Sequence, residues 1–111
     1  MSTEKRIGKI YSIKFGKGGY QEACLGVTVD LRSENGWGVE DFNGTWGGAP
    51  SPGAQWTVED QTKRWGEMVR WIADLLKKSK KESIDQLKGV PVEVEFEGMK
   101  LKSWRILEEV L

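Results

Sequence analysis

Four groups of residues in this chain have types and spacings that could do chemistry, and each also has a purely structural explanation. The first is Gly16-Lys17-Gly18-Gly19-Tyr20. Successive glycines let backbone N–H groups converge on an anion, with Lys17 adding a positive charge. Lys17, Gly18, Gly19 and Tyr20 are therefore candidate contacts for a small anionic ligand or nucleotide. A P-loop, however, needs Gly-Lys-Ser/Thr running into a helix. Here a strand pattern follows, and a flexible hairpin turn explains the same glycines. The second group is Gly36-Trp37-Gly38-Val39-Glu40-Asp41-Phe42-Asn43-Gly44-Thr45-Trp46. Glycine beside tryptophan allows flat contact with a ring or a partner's backbone, and aromatic residues dominate binding hot spots. This marks Trp37, Asp41, Asn43 and Trp46 as candidate contacts. The structural alternative puts Trp37 and Phe42 in the core and has Trp46 clamp a loop.

The third candidate is Trp71, which at helical geometry lies roughly 120° from Trp65 and off the apolar stripe. It would face a partner or a second copy, unless the loop after Asn43 folds back over it. The fourth is the acidic series Glu93, Glu95 and Glu97, with Glu40-Asp41 as a second pair. Carboxylates along one strand face can hold a hard cation, but they also make an ordinary solvated face, especially with Lys100 and Lys102 on a neighbouring strand. The Lys77–Lys81 run reads as a solvated helix end, with a nucleic-acid contact as the lesser reading.

Absent residue types narrow the chemistry further. There is no His, which removes the commonest neutral-pH base, the commonest zinc ligand and any His-centred triad. The single Cys24 cannot close an intrachain disulfide, which fits a reducing compartment. No catalytic residues, metal or cofactor are expected. Lys and Arg number 17 and Asp and Glu 17, so no net field draws the chain to nucleic acid or an anionic membrane. No apolar run approaches the ~20 residues needed to cross a bilayer, and Met1–Arg6 lacks the apolar segment of a signal peptide. The expectation is a cytoplasmic protein.

Positioning these residues calls for strands and one long helix. Ile7–Phe15 alternates Tyr11, Ile13 and Phe15 against Ser12 and Lys14, the period of two of a strand with one buried face. A turn at Gly16–Gly19 and a second strand through Leu25, Val27, Val29 and Leu31 follow. Asn35-Gly36 then signals a hairpin into a third strand, Trp37–Phe42. Residues 43–55 read as a Gly/Pro-rich loop, long enough to be functional or mobile. Thr57-Val58-Glu59-Asp60 opens a helix in near-capping-box form, with a predicted apolar stripe of Val58, Trp65, Val69, Ile72 and Leu76, widened by Met68 and Leu75. Ser83–Leu87 adds a turn before Gly89. Pro91–Glu97 and Leu101–Leu107 complete the pattern as strands, although Trp104, Ile106 and Leu107 would also suit a helix. The expectation is one α+β domain over residues 1–111, an antiparallel sheet of about five strands in the order β-β-β-α-β-β with the helix on its apolar face.

Four segments carry a resemblance: Phe15–Ala23 (FGKGGYQEA), Gly36–Phe42 (GWGVEDF), Leu87–Val94 (LKGVPVEV) and Leu101–Leu107 (LKSWRIL). Together they resemble a group of small bacteriophage- and prophage-encoded proteins to which no activity is attached. The resemblance implies a mobile-element origin and, for small phage proteins of this kind, a non-catalytic binder that redirects or blocks a host component. The leading expectation is such a binding protein, an anti-CRISPR-like counter-defence inhibitor engaging a host protein. The alternatives are a nucleotide-binding sponge using the glycine turn and a Trp, and a metal-dependent enzyme using Glu40, Asp41 or the strand carboxylates. A homodimer through a strand edge or Trp71 is also open.

Overall fold

Apolar alternation and glycine placement fold the chain into the expected α+β arrangement, seen in a computed structural model that describes residues 3–111. Its strands are β1 (Thr3–Gly18), β2 (Cys24–Arg32), β3 (Gly38–Trp46), β4 (Pro91–Glu97) and β5 (Lys100–Ile106), with helix α1 (Val58–Ser79) between β3 and β4. Short 3-10 turns lie at Tyr20–Glu22, Ile84–Leu87 and Glu108–Val110. The five strands form one antiparallel sheet in the order β3-β2-β1-β4-β5.

The central strand serves two hairpins. Residues Lys9–Gly18 of β1 pair with β2, while Thr3–Lys9 pair with β4. Between them, at Ile10–Ser12, the register shifts and Tyr11 is the extra residue. Because the side-chain period is two, one inserted residue exchanges the faces beyond it. The expected set of Tyr11, Ile13 and Phe15 is therefore split: Tyr11 is exposed on the outer face, while Ile13, half-buried, and Phe15, still exposed, lie on the face of the buried Ile10, Val27 and Val29.

Helix α1 begins on a full capping box. Thr57 Oγ1 accepts from the Asp60 N–H at 3.1 Å, and the Thr57 N–H donates to Asp60 Oδ2 at 2.8 Å. It ends at Lys80, whose φ of 62° is left-handed and whose N–H reaches the Leu76 and Lys77 carbonyls. Its buried row is Gln61, Met68, Leu75 and Ser79. Trp65 and Trp71 flank Met68 at about 60° on either side, and both pack against the core. The helix is thus rotated from the predicted stripe, and Val58 and Val69 are exposed. The core that α1 covers is built from Ile10, Val27, Val29, Leu31, Val92, Val94, Phe96 and Ile106.

Three boundaries differ from expectation. β1 runs through Gly16 and Gly18, so the turn comes later, at residues 19–23. Trp37 precedes β3 instead of starting it, and Asn43–Trp46, expected as loop, are strand. The two strand extensions involve glycine. Gly16, Gly26 and Gly44 lie in register across β1, β2 and β3, and a Cβ on Gly26 would collide with the Asn43 carbonyl. Here glycine allows neighbouring strands to approach closely, whereas from sequence it reads as a strand breaker. Leu101–Ile106 is strand, as expected.

Candidate functional site

Five of the nine candidate contact residues meet at one end of the sheet, where β1 turns into β2 and β3 ends. Lys17 and Gly18 close β1, followed by Gly19, Tyr20 and the 3-10 turn. Gly19, Gln21 and Glu22 all have positive φ, of 69°, 52° and 56°. Two non-glycine residues in this region are a strained arrangement, of the kind found at binding surfaces. The turn leaves Tyr20 71% exposed. Within the turn the Glu22 and Ala23 N–H groups donate to the Gly19 and Tyr20 carbonyls. The Phe42 ring also covers Gly18, where an added Cβ would sit 2.8 Å from it. Phe42 therefore lies on the outer face of the sheet, not in the core.

Trp46 pairs across from Cys24 and stacks on Trp56, with centroids 6.2 Å apart and planes 17° from parallel. The end of β3 is tied down on both sides. Gln61 of α1 donates from Nε2 to the Trp46 and Gly48 carbonyls at 2.6 and 2.8 Å, and the Gly47 N–H donates to Ala23 at 3.0 Å. The chain after β3 is held against the domain, and Trp46 stays 36% exposed at the same end of the sheet as Tyr20.

The other four candidates serve the interior. Trp37 lies over Gly8 and meets Phe96 edge-on at 5.4 Å. Trp71 is half-buried and meets Trp104 edge-on at 6.1 Å, so the surface suggested by its off-stripe position is covered by β5. Trp104 Nε1 donates to Asp41 Oδ2 at 2.7 Å. Asn43 shares the β3 face of Asp41. Its Oδ1 and the Trp65 Nε1 are the buried side-chain polar atoms with no hydrogen-bond partner among the described residues.

A cleft that sequence reading missed lies on the outer face at the β1 bulge, with a volume of about 530 Å³. Ile7, Lys9 and Tyr11 line it from β1, Arg32 and Ser33 from the end of β2, and Lys88 from the segment before β4. The Arg32 guanidinium sits 3.6 Å from the Tyr11 ring centroid and donates to both Asp30 oxygens, at 3.1 and 2.9 Å. The Asp30 hydrogen bonds raise its pKa further above the ordinary arginine value. Nothing local announces this site, because sheet pairing brings together residues of β1, the end of β2 and the segment before β4 that are far apart in sequence. A second hollow of about 620 Å³ adjoins it around Trp37, Val39 and Glu40.

On the acidic strand face, Glu93 is held by a charge pair and Glu95 by a hydroxyl. Arg105 bonds Glu93 at 3.1 Å and Glu109 at 3.0 Å, and Ser103 donates to Glu95 at 3.2 Å. The Thr3 hydroxyl, with Lys102, Ser103 and Lys5, holds Glu95 below the ordinary carboxylate value. Arg105 does the same for Glu109. Among the described residues no group of three or more His, Cys, Asp or Glu gathers as a metal site would require, and no helix is long and apolar enough to cross a membrane. Compared with protein-family models, curated proteins and solved structures, the chain matches none.

Proposed function

We propose that this chain is a non-catalytic binding protein of phage or prophage origin that occupies a protein of its bacterial host in the cytoplasm, as an anti-CRISPR-like counter-defence inhibitor would. The observation that carries the reading is the aromatic end: Tyr20 held out on a strained turn at the same end of the sheet as the Trp46–Trp56 stack. Rigid aromatic rings give large contact area at little entropic loss, and strain in a turn persists only where the surroundings enforce it. The phage-protein resemblance, one of whose four segments is Phe15–Ala23 at this end, supports the origin. Trp71, the other tryptophan suggested for a partner, belongs to the interior and is left out of the proposed surface.

The test compares wild-type, Tyr20→Ala and Trp46→Ala proteins as bait in host lysate, followed by affinity measurement with the captured protein. Each folded variant should weaken that binding by more than ~1 kcal/mol. Unchanged affinity in both removes the proposed surface. Substrate turnover abolished by a single carboxylate-to-amide change would replace the binding reading with an enzymatic one.

A further inference from the structure

The cleft at the β1 bulge has a chemistry of its own, separated from Tyr20 by roughly 23 Å of strand. Its volume of about 530 Å³ lies within the usual range for small-ligand sites. Its apolar wall is unusual for a sheet's outer face: Ile7 is 60% and Tyr11 49% exposed. Tyr11 stands on this face with Ile7 and Lys9 by the ordinary alternation of β1, at the point where the register shifts. Around that wall stand three cations, Lys9, Arg32 and Lys88, against two carboxylates, Glu34 in the lining and Asp30 paired with Arg32. In a chain of net charge zero this is a local excess of positive charge.

Arg32 is already arranged for recognition. Asp30 takes its Nε and Nη2, and the Tyr11 ring lies against its plane, so the guanidinium is fixed with its opposite edge left for another acceptor. Lys88 places its ammonium 5.9 Å from the same ring centroid. Neither Lys88 nor Lys9 forms an ion pair among the described residues. The floor is tight and polar only at the backbone: the Gly89 N–H donates to the Ile10 carbonyl at 2.7 Å, and the Ile10 N–H to Val90 at 3.0 Å. With those groups satisfied, recognition falls to the three cations and the apolar wall.

We infer that this cleft binds a small organic anion, its carboxylate or phosphate held between Arg32 and Lys88 and its apolar body laid against Ile7 and Tyr11. The charge fixes orientation, and the body supplies the desolvation that makes a charge-assisted hydrogen bond effective. This site does not depend on the partner surface at Tyr20 and Trp46.

Amide-resolved NMR titration of the whole protein tests it, using adenosine monophosphate and benzoate as anions with a body. Adenosine provides the body alone, and inorganic phosphate the anion alone. The expected result is saturable shifts at Ile7–Tyr11, Ser33–Asn35 and Lys88–Gly89 with at least one of the two complete probes. A response to benzoate alone would assign a carboxylate, and a response to the nucleotide alone a phosphate. Lys88→Glu and Arg32→Gln, both exposed positions whose folding the same spectra check, should each weaken binding about tenfold. The inference is overturned if neither complete probe shifts these amides saturably. It is also overturned if adenosine or phosphate binds as tightly as the nucleotide where the nucleotide responds, or if both folded variants bind unchanged.

Discussion

Trp104 links three elements through one side chain: its ring meets Trp71 of α1 and its N–H bonds Asp41 of β3, across the interior from its own strand β5. The separation of 63 residues between donor and acceptor makes this bond a constraint on tertiary structure. Replacing Trp104 by Phe keeps an aromatic ring but leaves the half-buried Asp41 carboxylate without its donor. Removing one partner of a buried polar pair costs more than the pair contributes. Urea unfolding should show a loss of about 1–3 kcal/mol for Trp104→Phe. Asp41→Asn, which keeps an acceptor, should lose less. Equal stability of Trp104→Phe and wild type would mean that water replaces the indole N–H at no cost. From sequence, Asp41 and Asn43 read as ligand contacts because they flank aromatic residues. Asp41's partner is Trp104 of β5, which no local pattern identifies, and Asn43 lies on the same face of β3.

Between elements, Gly26 and Gly44 decide how closely β2 and β3 meet, while Gly16, in register with them on β1, does not. A side chain on Gly26 would run into the β3 backbone, whereas one on Gly16 meets nothing within 4 Å. Gly26→Ala should therefore destabilise by about 1–3 kcal/mol, as overpacking against fixed backbone does. Gly16→Ala should change stability by no more than about 0.5 kcal/mol in either direction. Thermal unfolding of the two variants checks the contrast, and a similar effect at both sites would refute the close-approach explanation. β2 and β4 were legible because their apolar residues alternate without interruption over a full strand. The capping box and the extent of α1 were legible for the same local reasons. The rotation of α1 was not. Hydrophobicity placed Val58 and Val69 on the stripe, but burial is centred on Met68, between two tryptophans whose size sets how the helix sits on the sheet.

Taken whole, the molecule is extended, measuring 47 × 36 × 20 Å with a radius of gyration of 15.3 Å, against about 13 Å for a compact domain near this size. A central strand of 16 residues accounts for much of this, since each half supports a different hairpin. Exposed charge pairs on the β4–β5 side give the molecule a defined acid response. Glu95 and Glu109 titrate below their ordinary value of 4.5 in the folded state, Glu95 mainly through the Thr3 hydroxyl and Glu109 mainly through Arg105. A depressed folded pKa contributes stability that is complete above the unfolded value and is lost as pH falls through the folded one. The melting temperature should accordingly hold from neutral pH to about 5 and decline below about 4.5. The Glu95→Gln, Glu109→Gln double variant should show a shallower decline, and an identical acid profile would mean that other carboxylates control it.

The sequence by itself determined the strands with clean alternation, the capped helix and the α+β class, because these depend on residues within a few positions of one another. It also determined that histidine chemistry and an intrachain disulfide are impossible, since the required residues are missing. Only the tertiary structure decided which aromatics face solvent. A single extra residue at Tyr11 exchanged the faces of β1, and the folding of β5 towards β3 took Trp71 and Asp41 into the interior while Tyr20 and Trp46 stayed outside. Such outcomes depend on register and on contacts between distant segments, and both are settled only when the whole sheet closes over its helix.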